Sequence, residues 1–363
     1  MKAGILSDTH DIATNILEAV ISDLINRGVA MFIHCGDINE QHVKGDLYQG
    51  LPVVCVLTKA QKFDSRFEFS PDRWRFTRPG SIENRIVNLG PFKIYAGHER
   101  SMDVLRDPDR LAKFIQEIED VCDGVRYIFT GHTHQQFLIQ RGLITWINPG
   151  AVCDGSNGYE FALIDTDKKE AIFSRIPQTK IFAKPSTVGI ISDTSNISQV
   201  DQYFWSQAAR EFHERDAKII IHCGNIWLGD IGHPHWQDFE VYYYLLADQK
   251  NISNVPANWH LIPLEKPIVD ICGHRFCVEY DLGLDFFKRS EYQSIQFARE
   301  LSQKYHHVDF VLCGSINNPL YEEGADVTII NPGNTRNSRN FATICLPRRE
   351  ITFSTVRLGN DGY

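Results

Sequence analysis

Residues 4–10 read Gly-Ile-Leu-Ser-Asp-Thr-His, and residues 189–195 repeat the stretch as Gly-Ile-Ile-Ser-Asp-Thr-Ser. A short apolar run that ends in Ser-Asp is typical of a buried strand followed by a tight turn. Seven short matches of this kind occur in the same order, with a period near 185 residues; two of them are 33–38 with 221–226 and 147–150 with 330–333. Matches in this order indicate a tandem duplication.

The repeat sets the domain boundaries that we expect. They are a first domain at residues 1–176, a linker at 177–187 and a second domain at 188–363, because prolines and lysines break the periodicity at the join. A chain of 363 residues with 43% apolar and 23% charged residues is long enough to bury two cores. The same composition excludes disorder or a coiled coil as the structure of the whole chain.

Charge and composition exclude several function classes. The net charge of −9 argues against general nucleic-acid binding, and no apolar run approaches the roughly 18 residues of a membrane helix. The chain enters a strand-like run within its first residues, which argues against a secretory signal peptide. Nine cysteines without a Cys-x-x-Cys pair are typical of thiols in a reducing compartment. We therefore expect a cytoplasmic protein that does not contact a membrane.

Each half begins with alternating strand and helix patterns and ends in β-structure. An apolar stripe over residues 16–25 stops at Gly28, which predicts an amphipathic helix with a capping box at Asn15. A second helix is predicted from Pro108 onward, and residues 142–176 alternate as hairpins do. This order of elements predicts a layered α/β sandwich.

Six polar side chains of the first half lie just past the C-terminal ends of predicted strands. They are Asp8, His10, Asp37, His98, His132 and His134. Open α/β sheets gather ligand sites at this edge, and mixed imidazole and carboxylate ligands suit Mn²⁺, Fe²⁺, Zn²⁺ or Ni²⁺ rather than Ca²⁺. A single strand-end Asp or His is usually a cap, whereas six together predict a metal centre. Two such ions, about 4 Å apart, activate a water and hold a phosphate.

These motifs resemble those of the calcineurin-like metallophosphoesterases, and within them the small bacterial and archaeal phosphodiesterases. Asp-x-His, Gly-Asp, Gly-His and Gly-His-x-His occur in this order and are followed by Asn-Pro-Gly. The resemblance covers residues 1–176 and, more weakly, 186–363. It implies a four-layer α/β/β/α sandwich, present twice in tandem. It also implies two metal sites that share Asp37: one also holds Asp8, His10 and His134, and the other also holds His98 and His132.

The same resemblance implies a metal-dependent phosphoesterase, a hydrolase in which a metal-bound hydroxide attacks phosphorus. A phosphodiester is the expected substrate class, and Asp37, His98 and His132 are the expected catalytic residues. The expected cofactor is one or two divalent ions, with Mn²⁺ favoured and Fe²⁺, Ni²⁺ and Zn²⁺ as alternatives. The alternative function is that of a non-catalytic scaffold or binding protein built from two phosphoesterase-like domains.

The sequence departs from the family at the second metal. Lys59 stands where relatives carry an Asn ligand after the third strand, and an ammonium group does not bind a metal. Gln61 or Asp64 are the alternative ligands if the loop takes another path. We therefore expect the first metal to bind normally and the second to be weak, displaced or differently ligated. Lys59 is also a candidate phosphate ligand, together with Arg75 and Arg100, although a solvated basic loop is an equal alternative for the arginines.

The second half lacks most of the ligand set. We align its six positions as Asp193, Ser195, Asn225, His274, Ser315 and Asn317. Two potential ligands cannot hold a metal pair, so we expect a degenerate domain without a metal site. It is a candidate for binding a protein partner or for self-association. His34, which recurs as His222 in this half, is expected to pack or to form hydrogen bonds, and His42 is expected at the surface.

Overall fold

The computed structural model describes most of the chain, and the structural statements below concern these residues. They are 1–43, 46–58, 73–77, 80–98, 108–153, 158–176, 186–194, 202–226, 231–246, 254–280, 299–305, 307–315, 318–323, 327–335, 339–346 and 348–356. They divide into two compact units, one with the residues up to 176 and one with the residues from 186 onward. No helix in this described part is long and apolar enough to cross a membrane.

Eleven strands are described in the first unit. They are β1 (Lys2–Leu6), β2 (Met31–His34), β3 (Val53–Val56), β4 (Trp74–Thr77), β5 (Ile86–Leu89), β6 (Phe92–Ala96), β7 (Val125–Phe129), β8 (Gln136–Arg141), β9 (Ile144–Pro149), β10 (Tyr159–Asp165) and β11 (Glu170–Ile176). They form two mixed sheets, in the orders β4-β3-β2-β1-β10-β11 and β5-β6-β7-β9-β8. Strands β1 to β4 pair in parallel, so their carboxyl ends lie at one edge of the first sheet. Strands β6, β7 and β9 are likewise parallel in the second sheet.

Each sheet of the first unit packs against one helix. Helix α1 (Thr14–Asn26) buries Leu17 and Leu24 against Phe32 of the first sheet. Helix α2 (Pro108–Val121) buries Phe114 against Trp146 of the second sheet. Each such side chain contributes about 1.5–3 kcal/mol when it leaves water.

The two helices were predicted from their apolar stripes, and both are present. Gly28 ends α1 with a positive φ of 81°, and its amide donates to the carbonyl of Ile25 at 2.8 Å. The predicted capping box is wrong, because the residue before α1 is Ala13 and its side chain forms no cap. Asn15 therefore lies inside the first turn rather than in front of it.

The second unit also contains eleven described strands and a helix. They are β12 (Ser186–Ile191), β13 (Ala217–His222), β14 (Glu240–Tyr244), β15 (Trp259–Ile262), β16 (Ile268–Ile271), β17 (His274–Val278), β18 (Phe310–Leu312), β19 (Leu320–Glu323), β20 (Thr328–Asn331), β21 (Asn340–Leu346), β22 (Glu350–Thr355) and helix α3 (Gln202–Glu214). The sheet orders are β15-β14-β13-β12-β21-β22 and β16-β17-β18-β20-β19. Adding eleven to each strand number of the first unit reproduces both orders. Trp205, Phe212 and Trp236 fill the core beside α3.

Candidate metal centre

The turns after β1 and β2 hold each other in place through their backbones. The amide of Asp8 donates to the carbonyl of Gly36, and the amide of His10 donates to the carbonyl of Asp37, both at 3.0 Å. Because β1 and β2 are parallel neighbours, these turns leave the sheet side by side at its carboxyl edge. The first two sequence motifs therefore meet here.

Five of the six predicted ligands have left-handed backbone conformations. The φ angles are 52° at Asp8, 37° at His10, 52° at Asp37, 74° at His132 and 56° at His134. This conformation is uncommon outside glycine and costs on the order of 1–2 kcal/mol per residue. Such strain typically gathers where the fold must aim side chains at a functional site.

Asp8 lies at the centre of the site and is fully buried. Its Oδ2 accepts a hydrogen bond from the Ser7 hydroxyl at 2.6 Å and one from the amide of His132 at 3.0 Å. Its Oδ1 is also buried but accepts no hydrogen bond from any described residue. Imidazole Nε2 atoms surround this oxygen, that of His134 at 3.3 Å and those of His10 and His98 at 3.9 Å.

The carboxylate of Asp8 is kept in its charged form. Burial raises the pKa of Asp8, but the imidazoles of His134 and His98 and the hydroxyl of Ser7 outweigh it, so the pKa lies below its ordinary value. An anionic oxygen that is buried, faced by three imidazoles and short of a donor is suited to a cation.

Asp37 and His98 form the second contact pair of the site. His98 Nε2 lies 3.1 Å from Asp37 Oδ2, and the histidine side chain is only 3% exposed, against 29% for Asp37. This hydrogen bond lowers the pKa of Asp37 to about 2, against the opposing effect of burial. Burial lowers the pKa of His98, but Asp37, Asp8 and the Cys35 carbonyl outweigh it and leave the pKa above its ordinary value.

The other ring nitrogen of His98 fixes the orientation of the imidazole. Nδ1 lies 2.8 Å from the carbonyl oxygen of Cys35. A carbonyl oxygen can only accept, so Nδ1 carries a hydrogen, and Nε2 is the ring nitrogen that faces the two carboxylates. A backbone carbonyl that holds the far nitrogen in this way is a common feature of metal-ligating histidines.

His10 and His134 form the exposed side of the site together with a residue that the sequence did not indicate. The Nε2 atoms of the two histidines are 3.4 Å apart. The Sγ of Cys153 and one nitrogen of each histidine all lie within 4.8 Å of one another. Cys153 follows the Asn-Pro-Gly motif by two residues, and its amide donates to the carbonyl of Asp8 at 3.1 Å. No spacing rule in the sequence points to this thiol.

The spacing of these atoms fits a metal ion. Ligand atoms about 2.1 Å from one ion stand about 3.0–3.4 Å from one another at octahedral or tetrahedral angles. The separations of 3.3 Å from His134 to Asp8, 3.4 Å from His134 to His10 and 3.1 Å from His98 to Asp37 all fall in this range. With the orphaned oxygen of Asp8, they make the residues present suitable for a divalent cation.

His132 lies at the solvent side of this cluster. Its side chain is exposed, and its ring centroid is 5.2 Å from that of His98. All six predicted ligands thus meet at one place in the first unit.

Two further histidines of this unit are not part of the cluster. His34 is buried; its Nδ1 accepts from the amide of Gly36 at 3.3 Å, and its Nε2 lies 3.2 Å from the Thr9 hydroxyl. Burial lowers the pKa of His34 to about 3, which keeps the ring neutral. The expected surface position of His42 is wrong. This side chain is fully buried, with Nε2 3.0 Å from the carbonyl oxygen of Ile12.

Of the three predicted phosphate ligands, Arg75 alone falls within the described residues. Lys59 and Arg100, like Gln61 and Asp64, lie outside the described residues. Arg75 is exposed on β4, where its Nη2 donates to the carbonyl of Ile86 at 3.3 Å.

The second unit has a different set of side chains at the corresponding turns. Asp193 and Asn225 follow β12 and β13 with φ angles of 52° and 53°, and Asn225 Nδ2 donates to Asp193 Oδ1 at 3.0 Å. Tyr280 follows β17 as His98 follows β6, and its hydroxyl donates to the same oxygen at 2.6 Å. Burial raises the pKa of Asp193, while Tyr280 and Asn225 oppose that rise.

The alignment of His274 with His98 is therefore wrong. His274 begins β17 and pairs with Ile271 across a two-residue turn, in which Cys272 and Gly273 have φ angles of 52° and 81°. Two successive positive φ values are typical of a tight β-hairpin, and the Gly-His pair belongs to that turn. The amide of Ser315 donates to the carbonyl of Tyr280 at 2.9 Å, and Ser195 and Asn317 lie outside the described residues.

Comparisons with known proteins agree with the geometry. Residues 1–169 match the model of the calcineurin-like phosphoesterase superfamily domain. A phosphodiesterase of Methanocaldococcus jannaschii is 28% identical over 173 residues, which are 47% of this chain and 96% of that protein. A probable metallophosphoesterase of Methanothermobacter thermautotrophicus is 28% identical over 153 residues, 42% of this chain and 77% of that protein. The solved structure of an archaeal phosphodiesterase matches at 20% identity with a TM-score of 0.37, covering 48% of this chain and all of the other. Residues 1–169 of the chain are therefore similar to the calcineurin-like phosphoesterase superfamily domain.

Proposed function

We propose that the first unit is a metal-dependent phosphodiesterase. The observation that carries this proposal is the buried, unpartnered Oδ1 of Asp8, which faces three imidazoles within 3.9 Å. A buried anion without a donor costs free energy unless a cation completes it. The phosphodiesterase relative supports a diester as the substrate class.

The residues divide between two cation positions. Asp8, Asp37, His10 and His134 would hold the first, and Asp37, His98 and His132 would hold the second. When bound, divalent ions supply a hydroxide nucleophile at neutral pH and neutralise charge on the phosphate oxygens. His98 is held by the Cys35 carbonyl with Nε2 toward the carboxylates, and the exposed ring of His132 would be accessible to a phosphate from solvent.

The second cation position is the weaker one in this proposal, because Lys59 replaces an amide ligand. Mn²⁺, Fe²⁺, Ni²⁺ and Zn²⁺ all accept ligands of this His and Asp type. Metal analysis of purified protein is expected to give a single tightly held equivalent, and Lys59→Asn is expected to add a second. Two tightly held equivalents in the wild type would contradict the weak second position.

A four-layer α/β/β/α sandwich, repeated in tandem, is the architecture that we propose for the chain. Within the first unit, the buried Gln136 of the second sheet donates to the carbonyls of Phe161 and Ser174 in the first sheet, both at 3.2 Å. This supports face-to-face packing of the sheets between the two helices. The shared strand order of the two units supports a duplication with a break between 176 and 188.

The second unit is proposed to bind no metal and to serve as a binding module. Asp193 Oδ1 corresponds to the orphaned oxygen of Asp8, but it already accepts two hydrogen bonds, from Tyr280 and Asn225. These two hydrogen bonds satisfy the oxygen that corresponds to the proposed cation ligand of the first unit. A protein partner or a second copy of the chain is the proposed occupant of this unit's surface.

Hydrolysis of bis(4-nitrophenyl) phosphate by the full chain tests the catalytic proposal. The apo protein is assayed with Mn²⁺, Fe²⁺, Ni²⁺ or Zn²⁺, beside Asp37→Asn and the control Asp216→Asn, which changes an exposed carboxylate of the second unit. We expect activity with at least one ion and a loss of about 100-fold or more in Asp37→Asn, the order of magnitude for one lost transition-state contact. Absence of activity above the Asp37→Asn level with every ion would overturn the proposal and leave the scaffold function.

A further inference from the structure

Cys153 lies beside the first cation position. Its Sγ and the nearest nitrogens of His10 and His134 all fall within 4.8 Å of one another. The backbone holds it there, since the amides of Val152 and Cys153 donate to the carbonyls of Ser7 and Asp8, both at 3.1 Å. The backbone of Cys153 is therefore hydrogen-bonded to the turn that carries the Asp8 carboxylate.

Other cysteines of this unit have environments that explain them as core residues. Cys35 and Cys55 are fully buried, and burial raises the pKa of both thiols, as expected for inert side chains. Cys122 is half-buried like Cys153, but its Sγ contacts the carbonyl of Asp123 at 3.8 Å. Cys153 combines partial exposure with a nitrogen of each of two imidazoles within 4.8 Å of its sulfur.

Asp8 supplies a second, independent observation at the same place. Its fully buried Oδ1 accepts no hydrogen bond from a described residue and is 3.3 Å from His134 Nε2 and 3.9 Å from His10 Nε2. A nitrogen of each of these two histidines also lies within 4.8 Å of the thiol, so the histidines connect the carboxylate with Cys153.

We propose that Cys153 is a thiolate ligand of the ion held by Asp8, His10 and His134. This rests on the cation position of the proposed function. On binding, the sulfur donates a lone pair to the ion, the S–H bond breaks and its proton goes to solvent, so no oxidant or reductant is needed. A set in which one sulfur joins two nitrogens and the carboxylate oxygens of Asp8 and Asp37 favours softer ions such as Zn²⁺, Co²⁺ or Fe²⁺ over Mn²⁺. It also makes metal loading sensitive to oxidation of the thiol.

Cobalt substitution tests this ligand without substrate. Apo protein is titrated with Co²⁺, and the near-ultraviolet thiolate-to-cobalt charge-transfer band is recorded for the wild type, Cys153→Ser and the control Cys122→Ser. We expect the band in the wild type and in Cys122→Ser and its loss in Cys153→Ser. Calorimetry is expected to show Zn²⁺ affinity weakened by about tenfold or more in Cys153→Ser, with Mn²⁺ affinity changed by less than about threefold.

The outcomes separate this inference from the proposed function. A Co²⁺ complex without the band, the same band in Cys153→Ser, or no Co²⁺ binding at all would each overturn the thiolate ligand. The band with no hydrolysis under any ion would leave the ligand in place and overturn the phosphodiesterase. Hydrolysis without the charge-transfer band would support the phosphodiesterase and overturn the thiolate ligand.

Discussion

The α-carbon of Gly36 faces the imidazole of His98 so closely that a β-carbon on residue 36 would lie 2.5 Å from the ring. Gly36 also has a φ of 114°, a backbone conformation that other residues rarely adopt. The glycine of the Gly-Asp motif therefore serves two purposes. It permits the turn that presents Asp37, and it leaves room for the histidine that contacts Asp37.

Gly36→Ala is expected to displace His98 and weaken metal binding, whereas Gly28→Ala is a control for backbone strain alone. Gly28 has a φ of 81°, but a β-carbon there meets nothing within 4 Å. The control should lose about 1 kcal/mol of unfolding free energy and keep its metal. Denaturant unfolding and metal analysis check this. Equal metal content in the two variants would show that the ring tolerates the β-carbon.

His98→Gln is expected to lower kcat/KM by about 100-fold and to reduce metal occupancy, because the ring nitrogen Nε2, oriented through the Cys35 carbonyl, is lost. The control is His260→Gln, which changes a partly exposed histidine paired with Glu240 in the second unit. Both variants are compared by metal analysis and diester hydrolysis, and circular dichroism monitors the fold. A His98→Gln protein with full metal and full activity would remove His98 from the site.

Tyr280→Phe is expected to lower the unfolding free energy by about 1.5–3 kcal/mol at neutral pH, the usual worth of a hydrogen bond to a charged group. The hydroxyl donates to the buried carboxylate of Asp193 at 2.6 Å. Tyr242 of β14 is half-buried, and Tyr242→Phe should change the unfolding free energy by less than about 0.5 kcal/mol. Protonation of Asp193 weakens its hydrogen bond with Tyr280 in the wild type. The difference in unfolding free energy between Tyr280→Phe and the wild type should therefore narrow in acid. Equal stability of both variants would show that the contact contributes nothing.

His222 is expected to make stability fall in acid. It is fully buried, and burial lowers its pKa from 6.5 to about 3. Between about pH 6.5 and about pH 3, His222 is protonated in the unfolded chain but neutral in the folded one. The stability of the fold is therefore kept above about pH 6.5 and is lost as the pH falls toward about 3. The slope is about 1.4 kcal/mol per pH unit for one such group. His222→Gln should reduce the measured slope by that amount between pH 5.5 and 4, and an unchanged slope would contradict the assignment.

The place of the six candidate ligands in the fold could be predicted from the sequence, because each follows a strand and has a glycine or small residue beside it. A buried strand that ends in a tight turn has few alternative placements in an α/β sheet. The sequence therefore predicts Asp8 and Asp37 at the same edge of the sheet. The repeat likewise indicated the shared strand order, since the same apolar runs recur in the same order.

The errors fall where short motifs have two physical meanings. Gly273-His274 reads like the turn before a ligand, but two positive φ values make it a hairpin turn. Tyr280 has no histidine-like signal, so its place opposite Asp193 could be found only from strand pairing. His42 looked polar and exposed, but the carbonyl of Ile12 lies at hydrogen-bonding distance from its ring inside the core. Cys153 is brought to the site by two long-range backbone hydrogen bonds, which no local pattern records.

The left-handed backbone of Asp8 and Asp37 recurs at Asp193 and Asn225, where the φ values differ by no more than 1° from those of the first unit. The second unit keeps this conformation although hydrogen bonds, rather than a ligand set, surround Asp193. The shared conformation indicates that the strand arrangement sets both turns, whichever side chains surround the carboxylate. The carboxylates of the first unit should therefore be oriented toward the cation positions before a metal ion binds. Metal binding and release should then require little rearrangement of the main chain.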